Sequence, residues 1–299
     1  MSPTQPSVSV IIPTYNHGHL IEECLESLRS QTISNWEAII VNNYSQDNTE
    51  EIISNLHDSR IRLIRFRNNG VIAASRNQGV RLARAPYVAF LDSDDKWYPN
   101  KLASGLRSLN SGFDIVCHAE KWVSKDGFNR TVQYGPSGRA EYARLLFDGN
   151  CLSTSAIMMT IILFNEAGGF SEDPTFTTAE DYDLWLKIAW LKSPIHFIDT
   201  VLGEYRIHGG NQSLSAERHY NAVINVLNYH FSRHVNMTYF NKLRIKRRLA
   251  LASCGCGRML QTNNQFREAY VWLNKAIASW PFSYKPWAAL LMNIAHYRG

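Results

Sequence analysis

The sequence contains no uninterrupted apolar run near the roughly 20 residues that a bilayer-crossing helix requires. Its start, Met1 to Ser9, lacks the basic and then apolar pattern of a secretory leader. Cysteines are few, odd in number and scattered, at Cys24, Cys117, Cys151, Cys254 and Cys256, which is unlike a disulfide framework. Cys254-Gly255-Cys256 has the wrong spacing for a zinc pair and no second pair near it, so two small residues in a helix contact are expected there. Together these features point to the cytoplasm. Basic stripes interleaved with aromatics are also missing, and the net charge of +5 is mild, so nucleic acid is not an expected partner. Nor does Pro13-Thr14-Tyr15-Asn16 offer the glycine-rich loop that would cradle a triphosphate after a first strand. What is present is an ordinary globular balance, 45% hydrophobic and 19% charged. A length of 299 residues suits one large domain or a domain with a small appendage.

Val8 to Ile12 is an apolar, β-branched run ending at Pro13 and reads as a buried strand. Further strands are expected at Trp36–Val41, Ile61–Phe66 and Tyr87–Leu91. Helices fit between them, over residues 19–30, 47–56 and 71–83. Four strand–helix alternations at short intervals predict a parallel sheet with helices on both faces. In such a sheet ligands bind beyond the carboxyl ends of the strands. The polar residues Thr14-Tyr15-Asn16, Asn42-Asn43 and Asp92-Ser93-Asp94-Asp95 fall at those ends. After about Gly112 the alternation loosens. Strands are expected at 114–123, 156–163, 195–198 and 201–207, with a helix at 180–191. From Ala216 the pattern is helical, and 266–279 with 284–296 reads as a hairpin of tetratricopeptide type.

Asp92-Ser93-Asp94 follows a buried strand directly. Two carboxylates so placed can share a hard cation with diphosphate oxygens and water, and equally Asp94 or Asp95 could only cap the helix that follows. Alone the motif says little. It occurs in order with Val8–Asn16, with Val41–Thr49, with Ala74-Ser75-Arg76-Asn77-Gln78-Gly79, with Gly168-Gly169-Phe170, with Glu180-Asp181-Tyr182-Asp183-Leu184-Trp185 and with Tyr205-Arg206-Ile207-His208. Over roughly residues 7 to 214 the chain resembles the family-2 glycosyltransferases of bacterial cell-surface polysaccharide type.

That resemblance implies the GT-A fold, an α/β architecture with a Rossmann-like, mostly parallel central sheet, here with an all-helical C-terminal extension. The expected division is a GT-A domain at 1–214, with a nucleotide-sugar half at about 1–111 and an acceptor half at about 112–214, then helices at 215–299. It implies a nucleotide-sugar donor, UDP-linked by expectation, with Mn²⁺ or Mg²⁺ as cofactor and a glycan or lipid-linked acceptor. Pro13, Thr14, Tyr15, Asn43, Arg76, Asp92 and Ser93 would bind the nucleotide-sugar. Asp94, Asp92 and His208 would hold the metal. Asp181 would be the general base of an inverting transfer, with Glu180 the neighbouring candidate. Gly168, Gly169 and Phe170 would meet the acceptor. Asn42-Asn43-Tyr44-Ser45 departs from the family's usual Asp-Asp-Gly-Ser, so an uncharged amide stands where a carboxylate normally meets the base. A non-catalytic nucleotide-sugar-binding protein and a sugar nucleotidyltransferase are the competing readings. The run Lys242, Arg244, Lys246, Arg247 and Arg248 is either a solvated helix face or a peripheral contact with anionic lipid at the inner face of a membrane.

Overall fold

The computed structural model describes residues 5–208 and 215–297. Four strands come first: β1 (Val8–Thr14), β2 (Trp36–Asn42), β3 (Ile61–Arg65) and β4 (Tyr87–Phe90). Between them run α1 (Gly18–Arg29), α2 (Thr49–Asn55) and α3 (Ile72–Arg81). All four strands are parallel, in the spatial order β3-β2-β1-β4. Side chains alternate across a strand, so these runs feed two cores. Ile11, Ile39, Val41, Val88 and Phe90 enter one; Val8, Val10, Ile12, Ala38, Ile40 and Leu91 enter the other. Burial on both faces explains why β1, β2 and β4 are largely apolar, with buried Ser9 and Glu37 bonded to each other, whereas half-buried β3 carries Arg62 and Arg65. Gly79 lets α3 lie close on β1, since a Cβ there would stand 2.4 Å from Ile11 Cγ2.

The second half adds β5 (Lys96–Trp97), α4 (Lys101–Asn110), β6 (Ile115–Ser124), β7 (Asn129–Val132), α5 (Tyr142–Asp148), β8 (Ile157–Thr160), α6 (Ile161–Glu166), α7 (Glu180–Trp190) and β9 (Ile195–Ile207). They extend the sheet as β4-β8-β6-β9-β5, with β7 on β6. Two expectations change. The strand expected at 156–163 is short and turns into α6, because the Thr160 hydroxyl accepts the Leu163 N–H and caps a helix there. The two strands expected at 195–198 and 201–207 are one, β9. Register shifts against His118 and Ala119 of β6 absorb the polar Asp199-Thr200 step.

Four helices follow: α8 (Ala216–His234), α9 (Tyr239–Thr262), α10 (Phe266–Ser279) and α11 (Tyr284–Tyr297). The expected boundary after residue 214 falls at residues 209–214, outside the described residues. Ala222, Val223, Val226, Leu227 and Phe231 of α8 share a core with Leu145 and Leu146 of α5 and with Leu184 and Trp185 of α7. The α10–α11 pair packs on the far half of α9, in small clusters around Cys256 and Cys254, and α10 also meets Ala216, Tyr220 and Glu217 of α8. All five cysteines are free. In the basic run, Arg244 lies over the Phe147 ring at 3.8 Å, and buried Arg248 donates to the Leu146 carbonyl at 3.1 Å. Two of its five cations therefore pin α9 to α5 instead of forming an open basic face. Among the described residues no helix is long and apolar enough to cross a membrane.

Candidate active site

A cleft of about 940 Å³ opens beyond the carboxyl ends of β1, β2 and β4. Pro13, Thr14 and Tyr15 line it, with Asn43 and Arg76. Thr14 is buried, and its hydroxyl has no partner among the described residues. Tyr15 is about half exposed, at 49%. Asn16 takes a left-handed φ of 52°, and its side-chain oxygen accepts the Gln46 N–H, which ties the end of β1 to the loop after β2. The amides at 42 and 43 divide their work. Asn42 is buried, donates to Glu50 and accepts from Ser45. Asn43 accepts the Asn68 N–H at 3.0 Å and lines the cleft. Its oxygen keeps a second lone pair for a ligand.

Arg76 sits differently from the expectation. It is buried, donating to Asp92 Oδ1 at 2.7 Å and to Glu180 Oε1 at 2.6 Å. Burial opposes its charge, but Asp92 and Glu180 outweigh that and raise its pKa. Its two terminal nitrogens hold two carboxylates and so join the two acidic motifs, while its Nε–H has no partner among the described residues.

Asp92, Ser93 and Asp94 all line the cleft. Burial raises the Asp92 carboxyl against the pull of Arg76. For Asp94, burial pushes up, but the hydrogen bond from His208 and nearby His17 win, and the carboxyl is lowered. His208 Nε2 is 2.9 Å from Asp94 Oδ2. His17, which the sequence reading did not single out, lies 6.2 Å from His208 ring to ring and 2.7 Å from the Ser93 hydroxyl. Burial lowers its pKa, which favours the neutral imidazole. Asp95 is a structural tie: it accepts from the Ser155 hydroxyl and from the Arg206 N–H. Among the described residues, no three His, Cys, Asp or Glu side chains stand close enough to hold an ion alone. Carboxylates with an imidazole fit a hard cation whose remaining positions a diphosphate and water would fill.

The acids of α7 separate by environment. Glu180 has both oxygens engaged, one by Arg76 and one by the Thr178 N–H at 2.7 Å. Asp183 is buried, with His230 at 3.0 Å, and is not part of the cleft wall. Asp181 is half-buried in that wall; it accepts from the Tyr182 N–H at 2.7 Å and from the Thr154 hydroxyl at 3.3 Å. Burial first, then the Glu180 charge, pushes its carboxyl up to about 7, with Arg76 pulling the other way.

Gly168, Gly169 and Phe170 do not line the cleft. The glycines take left-handed φ of 77° and 66°, and Phe170 is buried edge-on to Phe90 at 5.1 Å. Asn77 brackets the Phe170 backbone with two hydrogen bonds. The turn supports α3 and β4. The cleft's remaining wall includes Tyr205, which the sequence offered only as part of a motif, and residues that sequence reasoning missed: Trp122, Tyr134, Arg139, Thr154 and Arg218. Trp122 lies on β6 and the other four on loops, short turns and α8, where no motif signals them.

The model of "Glycosyl transferase family 2" matches residues 9–164. The chain belongs to glycosyl transferase family 2. A relative of this glycosyltransferase is the putative teichuronic acid biosynthesis glycosyltransferase TuaG of Bacillus subtilis, 30% identical over 73% of this chain and 85% of its own. WfaP of Escherichia coli, named as a UDP-Glc:alpha-D-GlcNAc-diphosphoundecaprenol beta-1,3-glucosyltransferase, is 31% identical over 69% of this chain and 79% of its own. The fold matches the mannosyltransferase PcManGT of Pyrobaculum calidifontis, solved with GDP-Man and Mn²⁺, at TM-score 0.63, 19% identity, 99% of this chain and 82% of that one. The family-2 chain thus has the GT-A fold.

Proposed function

We propose that this glycosyltransferase moves a sugar from a nucleotide-sugar, UDP-linked by first expectation, to a hydroxyl of a glycan or lipid-linked acceptor, with inversion. The single observation that carries the reading is Asp181. It is a cleft carboxyl with a pKa near 7, beside an acid whose own oxygens are both engaged. A base poised near the working pH combines availability with driving force. Thr14, Tyr15 and Asn43 bind the nucleoside. Asp94, with His208 beside it and Asp92 on the same wall, would hold a divalent cation only together with the donor's diphosphate and water, and that cation would offset charge on the departing diphosphate. Asp181 takes the proton of the acceptor hydroxyl as that oxygen attacks the anomeric carbon. The bond to the nucleoside diphosphate breaks on the opposite face, so the centre inverts. Arg76 keeps Asp92 and Glu180 fixed while this happens. WfaP's name supports a UDP donor and a lipid-linked acceptor, and PcManGT supports a divalent ion.

The test is donor hydrolysis, measured as release of UDP or GDP from a panel of UDP- and GDP-sugars with Mn²⁺ or Mg²⁺. Slow release with at least one donor is expected, abolished by EDTA and restored by Mn²⁺. Measurable binding with no release from any donor would favour a sensor over a transferase.

A further inference from the structure

Behind the far wall of the cleft lies a buried acid that the proposed transfer does not use. Glu120 of β6 is 1% exposed. Its Oε2 accepts the Tyr134 hydroxyl at 2.6 Å, and the Tyr134 oxygen in turn accepts the Trp122 indole N–H at 3.2 Å. Glu120 and Trp122 are two apart on one strand and so share a face. Across the ladder Trp122 pairs directly with Tyr205 of β9, and their rings lie 5.0 Å apart at 38°. Trp122, Tyr134 and Tyr205 are each half-buried and line the cleft, whereas Glu120 does not. Ser153 interacts with both Glu120 and Tyr134, and its neighbour Thr154 holds Asp181. An aromatic wall, braced from behind by one carboxylate, therefore adjoins the base.

Such a wall has a natural ligand class. A pyranose ring presents one face of C–H groups, which pack on the electron-rich face of an indole or phenol, while its hydroxyls reach polar groups at the rim. Without the brace, Trp122 would have to satisfy its N–H elsewhere, and its ring would be free to turn. We propose that Trp122, Tyr205 and Tyr134 form the platform on which the acceptor's pyranose ring lies while its hydroxyl meets Asp181, and that Glu120 is a positioning residue that fixes the platform through Tyr134. This rests on Asp181 as the base that faces the acceptor.

Saturation-transfer NMR tests it with methyl glucoside, galactoside, N-acetylglucosaminide and N-acetylgalactosaminide, each added to the full chain with UDP and Mn²⁺. Saturation confined to one ring face is expected for at least one pyranoside. Trp122→Ala should weaken that binding roughly tenfold. Tyr134→Phe, which keeps volume and breaks the brace, should weaken it roughly threefold. Both variants should bind UDP within about twofold of the wild type, which a merely structural lesion would not preserve. Three results overturn the platform: no pyranoside signal in the wild type, a signal unchanged in Trp122→Ala, or a signal displaced when UDP-glucose or UDP-N-acetylglucosamine replaces UDP. Failure of the wild type to bind UDP or GDP at all would remove the proposed function, and the platform with it.

Discussion

Asp181→Asn separates chemistry from folding with one change. The amide keeps the side chain's shape. Its oxygen still accepts the Tyr182 N–H, and the Thr154 hydroxyl can rotate to accept from its nitrogen. What disappears is a carboxyl that the fold pushes from 3.8 up to about 7. At about 1.4 kcal/mol for each tenfold change in proton affinity, ionising that group costs the folded chain about 4 kcal/mol. Solvent reaching a half-buried carboxyl trims this to roughly 1–3 kcal/mol. The sign follows from linkage. Between pH 3.8 and about 7 the folded wild type holds a proton that the unfolded chain gives up, so this group makes the wild type lose stability as pH rises through that window. The full cost applies above about pH 7 and fades toward pH 4. Asp181→Asn should therefore unfold at a higher urea midpoint, and a few degrees hotter, than the wild type at pH 8, with the gap closing near pH 4.5. The same variant should bind UDP normally and lose transfer by at least about a hundredfold, whereas wild-type kcat/KM should fall on the acid side with an apparent pKa near 7. Equal pH–stability curves for the two proteins would refute the raised carboxyl. Undiminished turnover would remove Asp181 as base.

Thr14→Val replaces a buried hydroxyl that has no partner among the described residues. Stability should stay within about 0.5 kcal/mol by thermal melting, while UDP affinity drops roughly three- to tenfold by calorimetry; unchanged affinity would deny the hydroxyl a role with the nucleoside. Arg76→Ala leaves Asp92 and Glu180 without their shared cation and should cost about 3–5 kcal/mol by urea denaturation, with Arg76→Lys recovering only part because one ammonium cannot span both acids. Gly79→Ala drives a methyl into Ile11 and should cost about 1–3 kcal/mol; an unshifted midpoint would mean that α3 can lift off β1 freely.

The strands β1, β2 and β4 were legible because double-sided burial leaves little that is polar before the strand ends, apart from the mutually bonded Ser9 and Glu37, so Thr14, Asn43 and Asp92 stood out by position. The irregular half was not. Ile157 to Leu163 is apolar but for Thr160, and periodicity alone cannot divide so short a segment into strand and helix; the Thr160 cap does that. Asp199-Thr200 read as a break because a shift in strand register leaves no trace in composition. Arg76 was found, but its ties to Asp92 and Glu180 were not, since Glu180 lies 104 residues away in sequence. Gly168-Gly169-Phe170 belongs to the family pattern, and a pattern does not tell a turn that supports the site from one that touches the substrate.

The helices after residue 214 are not an accessory that a cut there would release. Phe231, Leu227 and Val226 complete the interior behind α5 and α7, and Arg248 is anchored on the Leu146 carbonyl. A chain ending at 214 would leave that face of the catalytic core open to water. The far half of α9 is no clean seam either, because Ala216 and Tyr220 of α8 share the cluster of Cys256 and Trp272, and the Trp272 indole donates to Glu217. Exchange of C-terminal pieces between relatives, by evolution or by engineering, should therefore fail at residue 214 and be best tolerated at α11, whose cluster contains no residue of α8.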